Sequence, residues 1–166
     1  MSDEKWTIFS HGEGLDYAHF GGTGDWLLHS QRFKWSAEFL LEHGEANGAL
    51  IDQVAPAALY LYRHALELAL KALVIKAGSE LKKGHDLLGL WNDVSHCFYE
   101  REKEDLRRWI AEWTTIDPKS TGFRYPDGIP QARVVGIRRI VENMELLLGT
   151  IYGKYDCIDR RSAPGD

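Results

Sequence analysis

The chain has 166 residues, 44% of them hydrophobic and 27% charged, with 20 Lys and Arg against 25 Asp and Glu. This length and balance fit one globular domain with a substantial core, and a formal charge of −5 argues against holding duplex nucleic acid by bulk attraction to phosphates. No uncharged apolar run reaches the roughly 18 residues of a membrane span, because the best stretch is interrupted at Arg63, Glu67 and Lys71.

The opening residues "MSDEKWTIFSHGEG" are acidic and lack the basic-then-apolar order of a signal peptide. Five glycines and scattered aromatics make 1–24 an irregular arm. Asp25 reads as the N-cap of a first helix over about 26–43, with Phe33, Ala37, Leu40 and Leu41 at helical spacing and Gly44 and Gly48 ending it. A second helix begins near Pro56, which a first turn tolerates, and stops at Gly78. It is apolar on almost every side, so it belongs at the centre of the fold.

After the turn "SELKKGHD", His85 or Asp86 caps a third helix whose apolar stripe is Leu87, Leu88, Trp91, Val94 and Phe98. "EREKEDLRRWIAEW" forms a fourth helix that buries Leu106, Trp109, Ile110 and Trp113. Its acids lead and its arginines follow, which suits the helix dipole. Residues 116–130 hold three prolines and two glycines and cannot be helical. A last helix over about 131–153 presents Val134, Ile137, Val141, Met144, Leu148 and Ile151. No segment alternates with period two and no internal repeat is visible. The reading is an all-α, up-and-down bundle of about five helices over 25–156, with an N-terminal arm and a flexible tail over 157–166.

Three pieces in this order, "YRHALELALKALVIKAG", "GHDLLGLW" and "STGFRYPDG", resemble the HEPN domain family across roughly residues 26–153. The resemblance implies a helical bundle, frequent homodimerisation, RNA cleavage or nucleotide binding, and a setting in toxin–antitoxin or antiviral defence systems. Active members carry an Arg followed after four to six residues by a His. None of the eleven arginines here has a His at that distance; His96 precedes Arg101, the inverted order. No family catalytic residue is carried over, and standard ribonuclease activity is expected to be absent.

Candidate ligand-binding residues come from three clusters. Arg63, Glu67 and Lys71 stack at i, i+4 and i+8, either as a surface ion ladder or as a charged line opening on a cleft that holds a phosphate. His64 lies one residue round the helix. "GHD" sets His85 and Asp86 at a helix start, where Asp serves as an ordinary cap and His does not. "FRYP" sets Arg124 and Tyr125 in a loop, suiting either anion binding with base stacking or a loop pinned to the bundle. The paired arginines at 107–108, 138–139 and 160–161 read as solvated helix faces or as a local basic groove.

No phosphate-binding glycine loop, HExxH or paired Cys/His set is present, so neither metal nor cofactor is expected. Cys97 and Cys157 are expected as free thiols in a reducing cytoplasm. Three functional expectations stand side by side. The first is a dimeric module whose helical cleft binds RNA or a nucleotide, or which neutralises or senses a cognate partner in a toxin–antitoxin or defence system. The second is a metal-independent endoribonuclease with a non-standard pair such as His85 with Arg124 or Arg63 with His64. The third is a bundle that docks another protein.

Overall fold

The computed structural model describes residues 25–118, 120, 122–123 and 136–158. Among them are five α-helices, α1 (Trp26–Ala46), α2 (Ile51–Lys76), α3 (Leu87–Val94), α4 (Glu100–Ile116) and α5 (Ile137–Cys157), with short 3-10 turns at Gly48–Leu50 and Ser95–Cys97 and no strand. The expected arm over 1–24, Val134, and Arg124 with Tyr125 lie outside the described residues. Cys157 ends α5, and Ile158 packs against the core.

Helix α2 is the axis of the bundle, as its apolar girth requires. Thirteen of its residues are buried, and α1, α3 and α5 pack around it. Helices α1 and α2 run antiparallel: Trp26 lies by Lys71, Ser30 by Ala65 and Gly44 by Val54. The Ser30 hydroxyl donates to the Ala65 carbonyl (2.6 Å) and accepts from Tyr152 of α5 (2.8 Å). One serine thereby joins three helices, and burial pushes the Tyr152 phenol up to about 12.

Boundaries of three helices differ from the sequence expectation. Helix α5 begins only at Ile137, after Gly136 in extended backbone, and runs on to Cys157 instead of covering 131–153. Gly44 lies inside α1, not at its end. A Cβ there would stand 2.6 Å from Val54 Cγ2 and 3.3 Å from the Ile51 backbone, so the glycine permits close approach of α1 to α2. Pro56 sits inside α2, which starts at Ile51 directly after the 3-10 turn. Its missing N–H costs one bond near the helix start, and Pro56 itself is exposed. The Asp25 cap is as expected, accepting from the Leu28 amide at 3.0 Å.

Helix α3 buries Leu87, Leu90, Trp91 and Val94, and α4 buries Leu106, Ile110 and Trp113. Leu88 and Trp109 are only half-buried. The buried face of α5 is Met144, Leu147, Leu148 and Ile151. Both cysteines are unpaired.

Candidate functional site: a buried ion network with a histidine at its edge

The i, i+4, i+8 spacing on α2 aligns Arg63, Glu67 and Lys71, but the line faces the interior. Arg63 has no exposed surface and Glu67 is 1% exposed. The line is therefore neither a solvated ladder nor the wall of an open cleft. Buried charges persist only when paired and hydrogen-bonded, and Arg63 is. Its Nη1 donates to Glu67 Oε2 (3.0 Å), its Nη2 to the His85 carbonyl (2.9 Å) and its Nε to the Asp117 carbonyl (2.9 Å). One rigid guanidinium thus ties α2 to the turn before α3 and to the C-terminal end of α4.

Asp117 was not a sequence candidate, because its link to Arg63 spans 54 positions and leaves no local pattern. It ends α4, donating its amide to the Trp113 carbonyl, and its carboxylate accepts from the Gly122 amide (2.9 Å) and lies 3.8 Å from Arg63 Nε. Ser120, buried at φ 57°, makes the left-handed bend that this tight return needs.

Glu67 collects the other partners. Lys71 Nζ donates to its Oε1 (2.7 Å), and His85 Nδ1 lies 2.9 and 3.1 Å from its two oxygens. Burial alone would raise the Glu67 carboxyl; the hydrogen bonds and charges of Lys71 and His85 outweigh it and hold the group below its ordinary value. Glu67 is therefore ionised and accepts only, which assigns the proton to His85 Nδ1. Nε2 is left on the outer edge of a ring whose side chain is 54% exposed. Gly84, at φ +134°, makes the turn that delivers this histidine.

Lys71, 11% exposed at its side chain, also lies over the Trp26 ring, 5.5 Å from its centroid. Trp26 and Lys71 thus flank the polar edge on which His85 stands, a pairing invisible until α1 and α2 are seen antiparallel. Asp86 takes the N-cap position of α3 with extended backbone but without a side-chain capping bond. Its carboxylate occupies the space beside Gly89, where a Cβ would stand 2.7 Å from Oδ2.

His64 belongs elsewhere. Its ring meets the edge of Phe33 (centroids 4.5 Å apart, 88°) and stacks on Tyr60 (5.9 Å, 8°), in the packing between α1 and α2. Burial pushes its imidazole down. Five sequence candidates, Arg63, Glu67, Lys71, His85 and Asp86, thus gather around the turn before α3; His64 is a packed aromatic, and Arg124 and Tyr125 lie outside the described residues.

Among the described residues no group of His, Cys, Asp and Glu is arranged to hold a metal ion, and no helix is long and apolar enough to cross a membrane. Chemically, the network offers one outward imidazole nitrogen whose partner nitrogen is anchored on a buried carboxylate. Comparison with curated proteins and with solved structures gives no match. The family model described as HEPN domain matches residues 23–153. That span takes in every helix except the end of α5, together with the whole ion network, and the chain belongs to the HEPN domain family.

Proposed function

We propose that this HEPN domain binds RNA or a nucleotide through a phosphate held at His85, in a toxin–antitoxin or antiviral setting in the cytoplasm. The observation that supports the reading is the Glu67–His85 contact at 2.9 Å, which fixes the exposed ring with one nitrogen turned outward. Nε2 donates to a phosphate oxygen when it carries a proton, while Nδ1 stays on the Glu67 carboxylate. Arg63 takes no direct part, because its three nitrogens already hold protein oxygens. The standard Arg-x4–6-His cleavage motif is absent from the sequence, so binding without standard ribonuclease chemistry is the first reading.

The anchored dyad also favours a second reading, metal-independent RNA cleavage. Neutral His85 Nε2 would take the 2′-hydroxyl proton, the 2′ oxygen would bond to phosphorus, and the 5′ oxygen would leave with a proton from water. The products would be a 2′,3′-cyclic phosphate and a 5′-hydroxyl.

The test uses the full chain with labelled single-stranded RNA and with ATP. His85→Ala is expected to weaken binding about tenfold or more, the loss of one charge-assisted contact, with the circular dichroism spectrum unchanged. Parent-like binding by His85→Ala, or no binding of either probe by the parent, refutes the reading. Cyclic-phosphate ends formed by the parent and not by His85→Ala would select cleavage over binding alone.

A further inference from the structure

Helix α1 is apolar on two sides. One side, with Ala37 and Leu41, is buried against α2; the other exposes Trp35 (66%) and Phe39 (57%). Beside Trp35 a groove of about 420 Å³ runs between α1 and α5, with Lys34, Glu38, Glu145 and Gly149 in its lining. Its volume lies in the range of small-molecule sites, and it shares no residue with the network around His85.

The two walls bring like charges together, Glu38 from α1 and Glu145 from α5. Lys34 pairs with Glu38, whereas no ion pair among the described residues includes Glu145. Tyr62 of α2 has no exposed surface, and its hydroxyl has no hydrogen-bond partner among the described residues. Burial raises this phenol above its ordinary value, and the charges of Glu38, Glu145 and Glu42 add to the rise. A hydroxyl on α2 that feels carboxylates of both α1 and α5 is aimed at the seam between them, where the groove lies. An unpaired buried hydroxyl is costly to keep. Gly149 is a further expense, because glycine weakens the middle of a helix. A Cβ there would meet nothing within 4 Å among the described residues, so packing does not require the glycine. Its missing side chain leaves the floor of the groove bare.

We propose that this groove binds a primary alkylamine, its ammonium held by Glu38, Glu145 and the Tyr62 hydroxyl and its hydrocarbon chain lying over Gly149 against Trp35. An ammonium carries three N–H donors and no acceptor. The acidic end of the groove offers the matching set, two carboxylates and one phenol oxygen, and the bonds to the carboxylates are charge-assisted. Lys34, already on Glu38, competes with the amine for it. The Tyr62 hydroxyl is closed to water, so the amine gains it only when the Lys34–Glu38 pair opens.

The test is calorimetric titration of the full chain with hexylamine. Two controls are 1-hexanol, which keeps the chain without the charge, and tetramethylammonium, which keeps the charge without N–H donors. Hexylamine is expected to bind with a Kd of about 1 mM or tighter, and both controls at least about tenfold more weakly. Glu145→Gln and Tyr62→Phe should each weaken hexylamine about tenfold. Tyr62→Phe should do so without lowering the Tm of the unliganded chain, since no hydrogen bond is lost. Lys34→Met frees Glu38 and should tighten binding several-fold, and Gly149→Leu fills the floor while favouring the helix and should abolish it. Circular dichroism confirms that each variant folds. A parent that does not bind hexylamine, or a control that binds as tightly, would overturn the proposal. So would parent-like binding by Glu145→Gln, Tyr62→Phe or Gly149→Leu. Weaker binding by Lys34→Met would overturn it as well, because that is the sign of an anion site.

Discussion

Replacing Arg63 with Met keeps most of the side-chain length while removing the charge and every donor. Three things are lost together: the ion pair with Glu67 and the hydrogen bonds to the carbonyls of His85 and Asp117. Removing one partner of a buried pair costs about 3–5 kcal/mol. Glu67 keeps Lys71 and His85, which limits its share, whereas the two carbonyls lose their guanidinium donor, at about 1–3 kcal/mol each if they stay buried. A total near 4 kcal/mol is a large part of the roughly 5–15 kcal/mol that holds a domain together. At about 2–4 °C per kcal/mol for a chain of this size, Tm should fall by roughly 8–16 °C. Urea unfolding followed by circular dichroism and tryptophan fluorescence measures the loss, with an unchanged m-value confirming two-state behaviour. The double variant Arg63→Met with Glu67→Leu separates the contributions. It should recover only the small part due to the carboxylate's lost Arg63 bond, since Glu67 otherwise keeps Lys71 and His85, and leave at least about 2 kcal/mol from the two carbonyls. A single variant within about 1 kcal/mol of the parent, or a double variant equal to it, would mean that Arg63 does not brace the turn before α3 and the end of α4.

Because the Glu67 carboxyl is held low in the fold, its stabilisation is present above its unfolded value of 4.5 and is lost as pH falls through the lower folded value. Acid titration of Glu67→Gln should therefore show a flatter loss of stability below that point. His64 works in the same direction: its imidazole is pushed down from 6.5, so stability declines as pH falls below that value. His64→Phe should flatten the decline, seen as a Tm that depends less on pH between about 5 and 7. Gly84→Ala forces a side chain into φ +134°, at about 1–3 kcal/mol; calorimetry should find that loss, and RNA or ATP binding should weaken with it as His85 shifts. Gly44→Ala gains about 1 kcal/mol of helix propensity but drives a methyl to 2.6 Å from Val54, so chemical unfolding should show a net loss of roughly 1 kcal/mol.

The helices were legible because each has a period that sterics and burial enforce locally. Asp25, Gly78 and the Trp91, Ile110 and Met144 stripes needed no tertiary knowledge. Gly44 and Pro56 are both punctuation marks by local rules, but the close approach of Val54 and Ile51 holds Gly44 inside α1, and the exposed Pro56, near the start of α2, forfeits only one backbone bond. The alignment of Arg63, Glu67 and Lys71 was readable from spacing, but its direction was not. A charged stripe on a greasy helix looks the same whether it meets water or the carbonyls of two distant turns. Those carbonyls, from His85 and Asp117, are backbone atoms, and a sequence records no pattern for them. His85 stood out because a histidine makes a poor cap, and Glu67 supplies the reason it is there.

The two-sided character of α1 also poses a problem during folding. A helix with apolar residues on opposite flanks has two ways to lie on α2, and burial of Trp35 and Phe39 would reward the wrong one. Rotating α1 half a turn would bring Arg32 and Glu42 inward, with none of the oxygens and amides that Arg63 and Glu67 find there, at a cost of several kcal/mol per ion. It would also push large rings into a crossing that Gly44 keeps too narrow for even a methyl group, and it would strip the Ala65 carbonyl of its bond from Ser30. Two small residues, a glycine and a serine, therefore act as a key that admits one rotation of the helix, and the flank of Trp35 and Phe39 is left outside.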